Sequence, residues 1–466
     1  MDLTVAELAR IVDGEPHNVE LSARINRIVT DSREVQDGDV FVAIPGEKYD
    51  GHDFTGSAYM NGAVACIVRR GKSTSVPHIE VADTVVALGS IAKYRILNEL
   101  NDAIRIGVTG SVGKTTTKEL IFHLLSTKFR GSRSPKSFNN AIGVPLTVFD
   151  ADEESEFIVF EIGTNHAGEI AYLASRILPH IAVLTRSGYG HIGFLGSTEA
   201  IAHEKADLFR ILPAGGVAVI NLDSPHADIY LRSVPPGVDV VTYSLRSEAA
   251  TFYGKVLRER PENWKQELTS SRLIIDGETF HVPLPASIAE NALAAIAVAR
   301  VMGLGGDEIQ AGLDSFHGIS MRMEIEEVGG IHIVNDAYNA NPDSMLALFR
   351  TFEHLKGSLR MWFVLGDMLE LGEYSEELHR MVGREFARAG FARLIAVGRD
   401  ARYIAEEALF NGTPHVYFFT DRDEVVEFLK SYLQTGDVVI LKASRAMELE
   451  KIVEELRDAL SHPLSA

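Results

Sequence analysis

The stretch Thr109 to Thr117, TGSVGKTTT, limits what this chain can fold into more than any other. It follows the apolar run IRIGVTG and precedes a helical pattern that begins at Lys114. A strand that runs through a glycine-rich turn into a helix aims backbone N–H groups and the helix N-terminus at one anion. The spacing is the short GxxGKT form, with Gly110 and Gly113; in the longer GxxxxGK[ST] form the first glycine would fall on Val108. Thr109, Ser111, Val112 and Thr116 complete the loop. Lys114 is expected to reach the β- and γ-phosphates and the Thr115 hydroxyl to hold Mg²⁺. A turn built for structure alone has no need of the Lys-Thr pair. A GTPase would carry an Asn-Lys-x-Asp guanine reader, which the sequence lacks, and a small-molecule kinase has no need of blocks on both sides.

Around this loop, apolar strands alternate with helical patterns. FIVFEIG precedes GEIAYLASRIL, IAVLT precedes TEAIAHEKADLFRIL, and GVAVINLD follows. Such alternation predicts a mostly parallel sheet covered by helices. Residues 250–285 read as short β pieces of a side sheet, and ENALAAIAVARVMGL as a closing helix. From Ile319 the alternation returns in MWFVLGD, RLIAVGR, HVYFFT and DVVILKAS. This block looks like a dinucleotide-fold domain, but without GxGxxG no nicotinamide site is read into it. Before residue 100, short strands (DVFVAI, AVACIVRR) mix with Gly/Asp-rich loops. The expected architecture is α/β in three domains: a small α/β domain (1–100), a central P-loop domain (101–318) and a C-terminal Rossmann-like domain (319–466).

Length and charge agree, since 466 residues exceed what one core organises. A formal charge of −20 argues against nucleic acid, whose phosphates demand a basic footprint. No run of about 18 apolar residues predicts a membrane-spanning helix, and MDLTVAELAR lacks the features of a signal peptide. Cys66, the single cysteine, sits in AVACIV and reads as a small core residue. A reduced, cytoplasmic protein is expected.

Three further residues bear on chemistry. Glu161 ends FIVFE, where a parallel sheet presents ligand-facing groups, and reads as a Mg²⁺ ligand or a solvated loop acid. His191 lies in the glycine-rich SGYGHIGFLGS, as a metal ligand or a surface histidine. Lys205 shares a helical stripe with Ile201, Leu208 and Leu212. It either snorkels or is kept neutral by desolvation and reacts with carbon dioxide to give a carboxylate-like carbamate ligand.

Taken together, these residues give the chain a resemblance to the Mur ligases, and to one branch of them most of all, over nearly its whole length. TGSVGKTTTKEL, KSFNNAIGVPLT, EIGTNHAGEIAYL and HEKADLF follow in family order, and NDAYNANPDSM with VLGDMLELGEYSEELH is the feature most like that branch. The resemblance implies ATP on Lys114 and Thr115, two Mg²⁺ ions with Thr115, Glu161, His191 and a carbamylated Lys205 as ligands, and an acyl-phosphate mechanism. It implies nucleotide-sugar contacts at Ser32, Arg33 and Lys48, beside the turn Asp50–His52, and substrate-side contacts at Asn139, Asn140, Asn339 and Asn341. It also implies an adenine-side Asn291 and nucleotide contacts at Arg322 and Asp336. The implied partners are UDP-N-acetylmuramoyl-tripeptide and D-alanyl-D-alanine, acted on by a monomer. The sequence departs from the family pattern at Gly193, where an acid is common, at Ala443, and before Asn291, where a histidine is missing. The remaining readings are a related ligase such as a folylpolyglutamate synthetase, against which the N-terminal block argues, and a catalytically silent nucleotide-dependent scaffold.

Overall fold

A computed structural model describes residues 1, 3–46, 48–72, 74–257 and 263–461. Its three large sheets follow the three blocks of the sequence. The first has five strands in the order Glu15–His17, His78–Val81, Ala65–Arg69, Val40–Val42 and Ile28–Val29. Cys66 is buried in it, and burial pushes its thiol up to about 12, as an inert core residue requires.

Helix Thr84–Asn98 joins this block to the next. Asp83 caps it by accepting from the Val85 and Val86 amides. Its Ala87, Leu88 and Ile91 pack into the first core, while Ala92 and Ile96 pack into the central one. One helix therefore belongs to both cores.

The central sheet has nine strands, with Ile104–Thr109 flanked by Phe157–Glu161 on one side and Ile181–Leu184 on the other, all parallel. The strand Phe157–Glu161 is buried along its whole length, as expected of a sheet covered on both faces. Helices Lys114–Leu125 and Ala289–Val301 cover one face, Glu169–Ile177 and Thr198–Arg210 the other. Each fully buried Ile or Val contributes about 1.5–3 kcal/mol, so these runs settle where the sheet lies. The β pieces at 250–285 are not a separate side sheet. Phe252–Leu257 pairs with Asp239–Ser244 over Tyr243↔Phe252 and Ser244↔Tyr253, then continues antiparallel through Ser271–Ile275 and Glu278–Val282 as the sheet's far edge.

The third sheet has six strands, with Val438–Lys442 between Ile331–Asn335 and Met361–Gly366; all pairings are parallel except the edge hairpin of Glu324–Val328 with Ile331–Asn335. Among the described residues, no helix is long and apolar enough to cross a membrane.

Candidate active site

Thr109 and Glu161 are the last residues of adjacent parallel strands, and Thr185 follows the third. The crevice beyond these carboxyl ends is where an open α/β sheet binds ligands. The loop between strand Ile104–Thr109 and helix Lys114–Leu125 is held from behind: the Ser111 amide donates to the Arg186 carbonyl (2.7 Å), and the Thr185 hydroxyl donates to that of Val112 (2.6 Å). Gly113 starts the helix at φ +85°, and a Cβ there would lie 2.2 Å from Asn291 Oδ1, so backbone and space both require glycine. Among the described residues, no side chain caps this helix. Its first-turn amides are thus left for an external anion.

The side chains at this N-terminus are wired together. The Thr115 hydroxyl donates to Glu161 Oε2 at 2.8 Å, and Asn139 Nδ2 donates to Oε1 at 2.8 Å. Glu161 is 1% exposed. Lys114 Nζ donates to the Gly110 carbonyl at 2.8 Å; burial pushes its pKa down, against the pull of Glu161. A hydroxyl and a carboxylate in contact, with the second carboxylate oxygen fixed by an amide, make an all-oxygen set suited to Mg²⁺.

Lys205 lies behind this cleft on helix Thr198–Arg210, among the fully buried Ile201 and Leu208. It does not snorkel. Its side chain is fully buried and Nζ has no hydrogen-bond partner among the described residues. Burial, reinforced by the Lys114 charge, lowers its pKa to about 7. An amine of that acidity is substantially neutral, hence nucleophilic, at neutral pH. His191, in a left-handed backbone conformation, is mostly buried and 2.8 Å from Glu370 Oε2. Burial lowers its pKa, the nearby Lys114 and Lys205 charges add to this, and Glu370 opposes it. A neutral imidazole is the form that ligates metal.

A cleft of about 650 Å³ holds Lys114, Thr115, Asn139, Glu161, His191 and Asn291 from the central block, and Arg322, Asp336, Asn339 and Asn341 from the last. Arg322 Nη2 donates to the Thr115 hydroxyl at 2.9 Å and stacks on the Tyr338 ring. Asn341 Nδ2 donates to the Ser111 carbonyl at 3.3 Å. Asp336 is paired with Lys442 at 2.6 Å, which also donates to the Asn339 carbonyl.

Other sequence candidates lie elsewhere. Asn140 spends Oδ1 on the Ile142 and Gly143 amides and lines a smaller hollow with Tyr172. Ser32 accepts from Asn61 through its carbonyl, and Arg33, 87% exposed, forks onto Asp31. Lys48 is exposed. None of these lines the cleft.

Two cleft-side acids escaped sequence reasoning. Asp343 accepts from the Tyr189 amide at 2.6 Å, and burial raises its pKa. Glu370 touches His191, which lowers its pKa. Both come from the last block and act on the central one, so no local spacing announces them. Gly193 gains its explanation here: a Cβ would meet the Gly372 amide at 2.5 Å and the Glu370 carbonyl at 2.7 Å. The segment Glu370–Gly372 fills the space a side chain at 193 would need.

Comparison with known proteins agrees with this geometry. Three family models match: the Mur ligase family catalytic domain over residues 24–96, the Mur ligase middle domain over 108–299 and the Mur ligase glutamate ligase domain over 321–445. The chain is 34% identical to the UDP-N-acetylmuramoyl-tripeptide–D-alanyl-D-alanine ligase of Bacillus subtilis, with 99% of each chain covered, and 30% identical to that of Escherichia coli, with 98% and 99% covered. Among solved structures, it superposes on MurF from Acinetobacter baumannii with a TM-score of 0.88 at 27% identity (98% and 99% covered). MurF from Thermotoga maritima, solved with ADP, gives 0.80 at 29% identity (93% and 98% covered). The chain belongs to the Mur ligase family.

Proposed function

We propose that this protein is the ATP-dependent, ADP-forming ligase that joins D-alanyl-D-alanine to UDP-N-acetylmuramoyl-tripeptide, the last cytoplasmic step in building the peptidoglycan pentapeptide precursor. The observation that carries the reading is the meeting of two blocks on one atom. Thr115, at the uncapped helix N-terminus, bonds both Glu161 and Arg322. A nucleotide gripped there contacts the central and the last block together, which couples binding to closure. Residues 101–318 hold the nucleotide, 319–466 close over it, and 1–100 take the UDP-sugar end through Ser32, Arg33 and Lys48. The enzyme acts as a monomer.

The residues fit the cations such chemistry uses. Thr115 and Glu161 offer oxygen ligands for one Mg²⁺, and neutral His191 with carbamylated Lys205 offers ligands for a second. Bound there, the two ions neutralise phosphate charge. The chain's own task is positioning and charge compensation. Lys114 and the first-turn amides hold the β- and γ-phosphates, while Arg322 places a second positive charge beside Thr115. The tripeptide's terminal carboxylate attacks the γ-phosphorus and ADP leaves. The dipeptide amine then attacks the acyl carbon, phosphate departs with one carboxylate oxygen, and the amine's proton passes to solvent. Asn139 fixes Glu161, so that carboxylate keeps its orientation throughout.

ADP release in the presence of each candidate tripeptide, with D-alanyl-D-alanine or glutamate as the amine, tests the assignment. Turnover is expected with the dipeptide alone; turnover with glutamate alone would place the chain with folylpolyglutamate-type ligases. Isotopically labelled carboxylate oxygen is expected in the released phosphate, and its absence there rules out the acyl phosphate.

A further inference from the structure

We propose a second metal site, remote from the catalytic cleft, formed by His17, His78 and Glu80 on the N-terminal sheet and suited to Zn²⁺. The strands Glu15–His17 and His78–Val81 are antiparallel, with His17 opposite His78 and Glu15 opposite Glu80. Directly opposed residues, and residues two apart on one strand, project from the same face. All four side chains therefore share one face at the sheet edge.

The local hydrogen bonding leaves ligand atoms free. His78 is 7% exposed, and its Nδ1 lies 2.8 Å from the Val76 carbonyl. A carbonyl can only accept, so Nδ1 carries the proton and Nε2 keeps its lone pair. This is how metal-bound histidines are commonly oriented. That Nε2 is 3.8 Å from Glu80 Oε1, beyond hydrogen-bond range. His17 stacks on His78 with ring centroids 5.0 Å apart, and its Nε2 is buried with no hydrogen-bond partner among the described residues. A buried imidazole nitrogen is costly to leave unpaired. One ligand atom from each of the three residues lies within 4.8 Å of the others. A tetrahedral ion with bonds near 2.0–2.1 Å needs ligand atoms about 3.3 Å apart, a closure within reach of side-chain rotation.

The donor chemistry selects the ion. Two imidazoles and one carboxylate form a borderline set that favours zinc, whereas Mg²⁺ and Ca²⁺ prefer oxygen throughout. Water or Glu15 supplies the fourth ligand. Strand Glu15–His17 is the outermost of its sheet and pairs at Glu15, Pro16 and His17. An ion here pins that strand to its neighbour and stabilises the folded N-terminal block by mass action.

The test uses the full chain without a histidine tag, stripped by chelator and held in excess Mg²⁺ to occupy the oxygen-rich positions. Calorimetric titration with Zn²⁺ is expected to show one saturable equivalent and a rise in Tm, and Co²⁺ to give the visible absorption of a tetrahedral site. His17→Gln and Glu80→Gln are each expected to weaken zinc binding tenfold or more, with an unchanged circular dichroism spectrum and unchanged KM for ATP. His191→Ala is expected to keep the equivalent. Binding that survives both His17→Gln and Glu80→Gln, binding lost in His191→Ala, or no saturable binding at all would overturn the site. Both test residues are partly exposed, so loss of fold does not confuse the outcome.

Discussion

On one flank of the cleft, Thr115, Glu161 and Asn139 are joined by hydrogen bonds of 2.8 Å, and Lys114 rests on the Gly110 carbonyl. On the other, Lys205 is sealed in with no hydrogen-bond partner among the described residues, and His191 faces a carboxylate that arrives from another block. The first flank stores geometry: these four side chains are hydrogen-bonded and fixed before any ligand enters, while the first-turn amides stay open. The second stores a cost, because a buried amine without a partner is unfavourable when charged. The phosphate-loop flank is preformed, whereas the other flank holds a desolvated amine and a histidine met by Glu370 from the neighbouring block.

The largest expected effect comes from the preformed flank. Lys114→Ala removes the cation aimed at the phosphates and should lower turnover by on the order of 10³-fold. ADP release with all substrates present measures it, and retention of full speed would show that the loop is structural. On the other flank, Lys205→Ala should cost at least about 100-fold. Added short carboxylic acids should restore part of it, since a small carboxylate would stand in for the carbamate proposed at Lys205. Full activity without them removes Lys205 from the mechanism.

The stored cost can also be read as stability. The Lys205 pKa is about 7 folded and near 10.5 unfolded. Between those values the unfolded chain binds a proton that the folded chain does not, so this group makes stability rise with pH across that window. Below about 7 the full cost is present. In CO₂-free buffer, Lys205→Met should therefore be more stable than the parent below pH 7, by roughly 3–5 kcal/mol, and the gap should shrink as pH approaches 10. A gap that does not vary with pH means that the amine is not desolvated as the fold implies.

Glu370 tests whether the second flank depends on the neighbouring block. Glu370→Gln keeps the shape but loses the charge facing His191. It should lower kcat about tenfold while leaving KM for ATP near its parent value, because the phosphate loop is untouched. A rise in KM alone would move Glu370 to the nucleotide end.

What the sequence disclosed follows the same division. The strand-loop-helix run at Thr109–Thr117 was legible because its chemistry is contiguous, and Glu161 because a strand's end fixes its place. The stripe through Ile201, Lys205 and Leu208 placed the lysine on a buried face, but burial without a partner is a tertiary fact. The edge strand Gly131–Arg133 carries no apolar pattern and is held by pairing with Phe157–Val159. Asp343 and Glu370 gained their roles only through packing between blocks. The β pieces at 250–285 misled because their attachment to the main sheet is a two-residue register that composition does not encode.

The smallest expected effect separates local from interdomain work within one side chain. Asn341 Oδ1 accepts from the Ser344 amide at 2.9 Å and caps helix Pro342–Phe352, while Nδ2 reaches Ser111 across the cleft. Serine caps about as well as asparagine but cannot span to the loop. Asn341→Ser should therefore unfold within about 0.5 kcal/mol of the parent, with KM for ATP raised a few-fold by loss of one neutral hydrogen bond worth about 0.5–1.5 kcal/mol. Asn341→Ala loses both contacts and should cost a further 0.5–2 kcal/mol or so in a denaturant titration. Equal midpoints for the two variants would show that the cap contributes nothing, and an unchanged KM in both would confine Asn341 to its own helix.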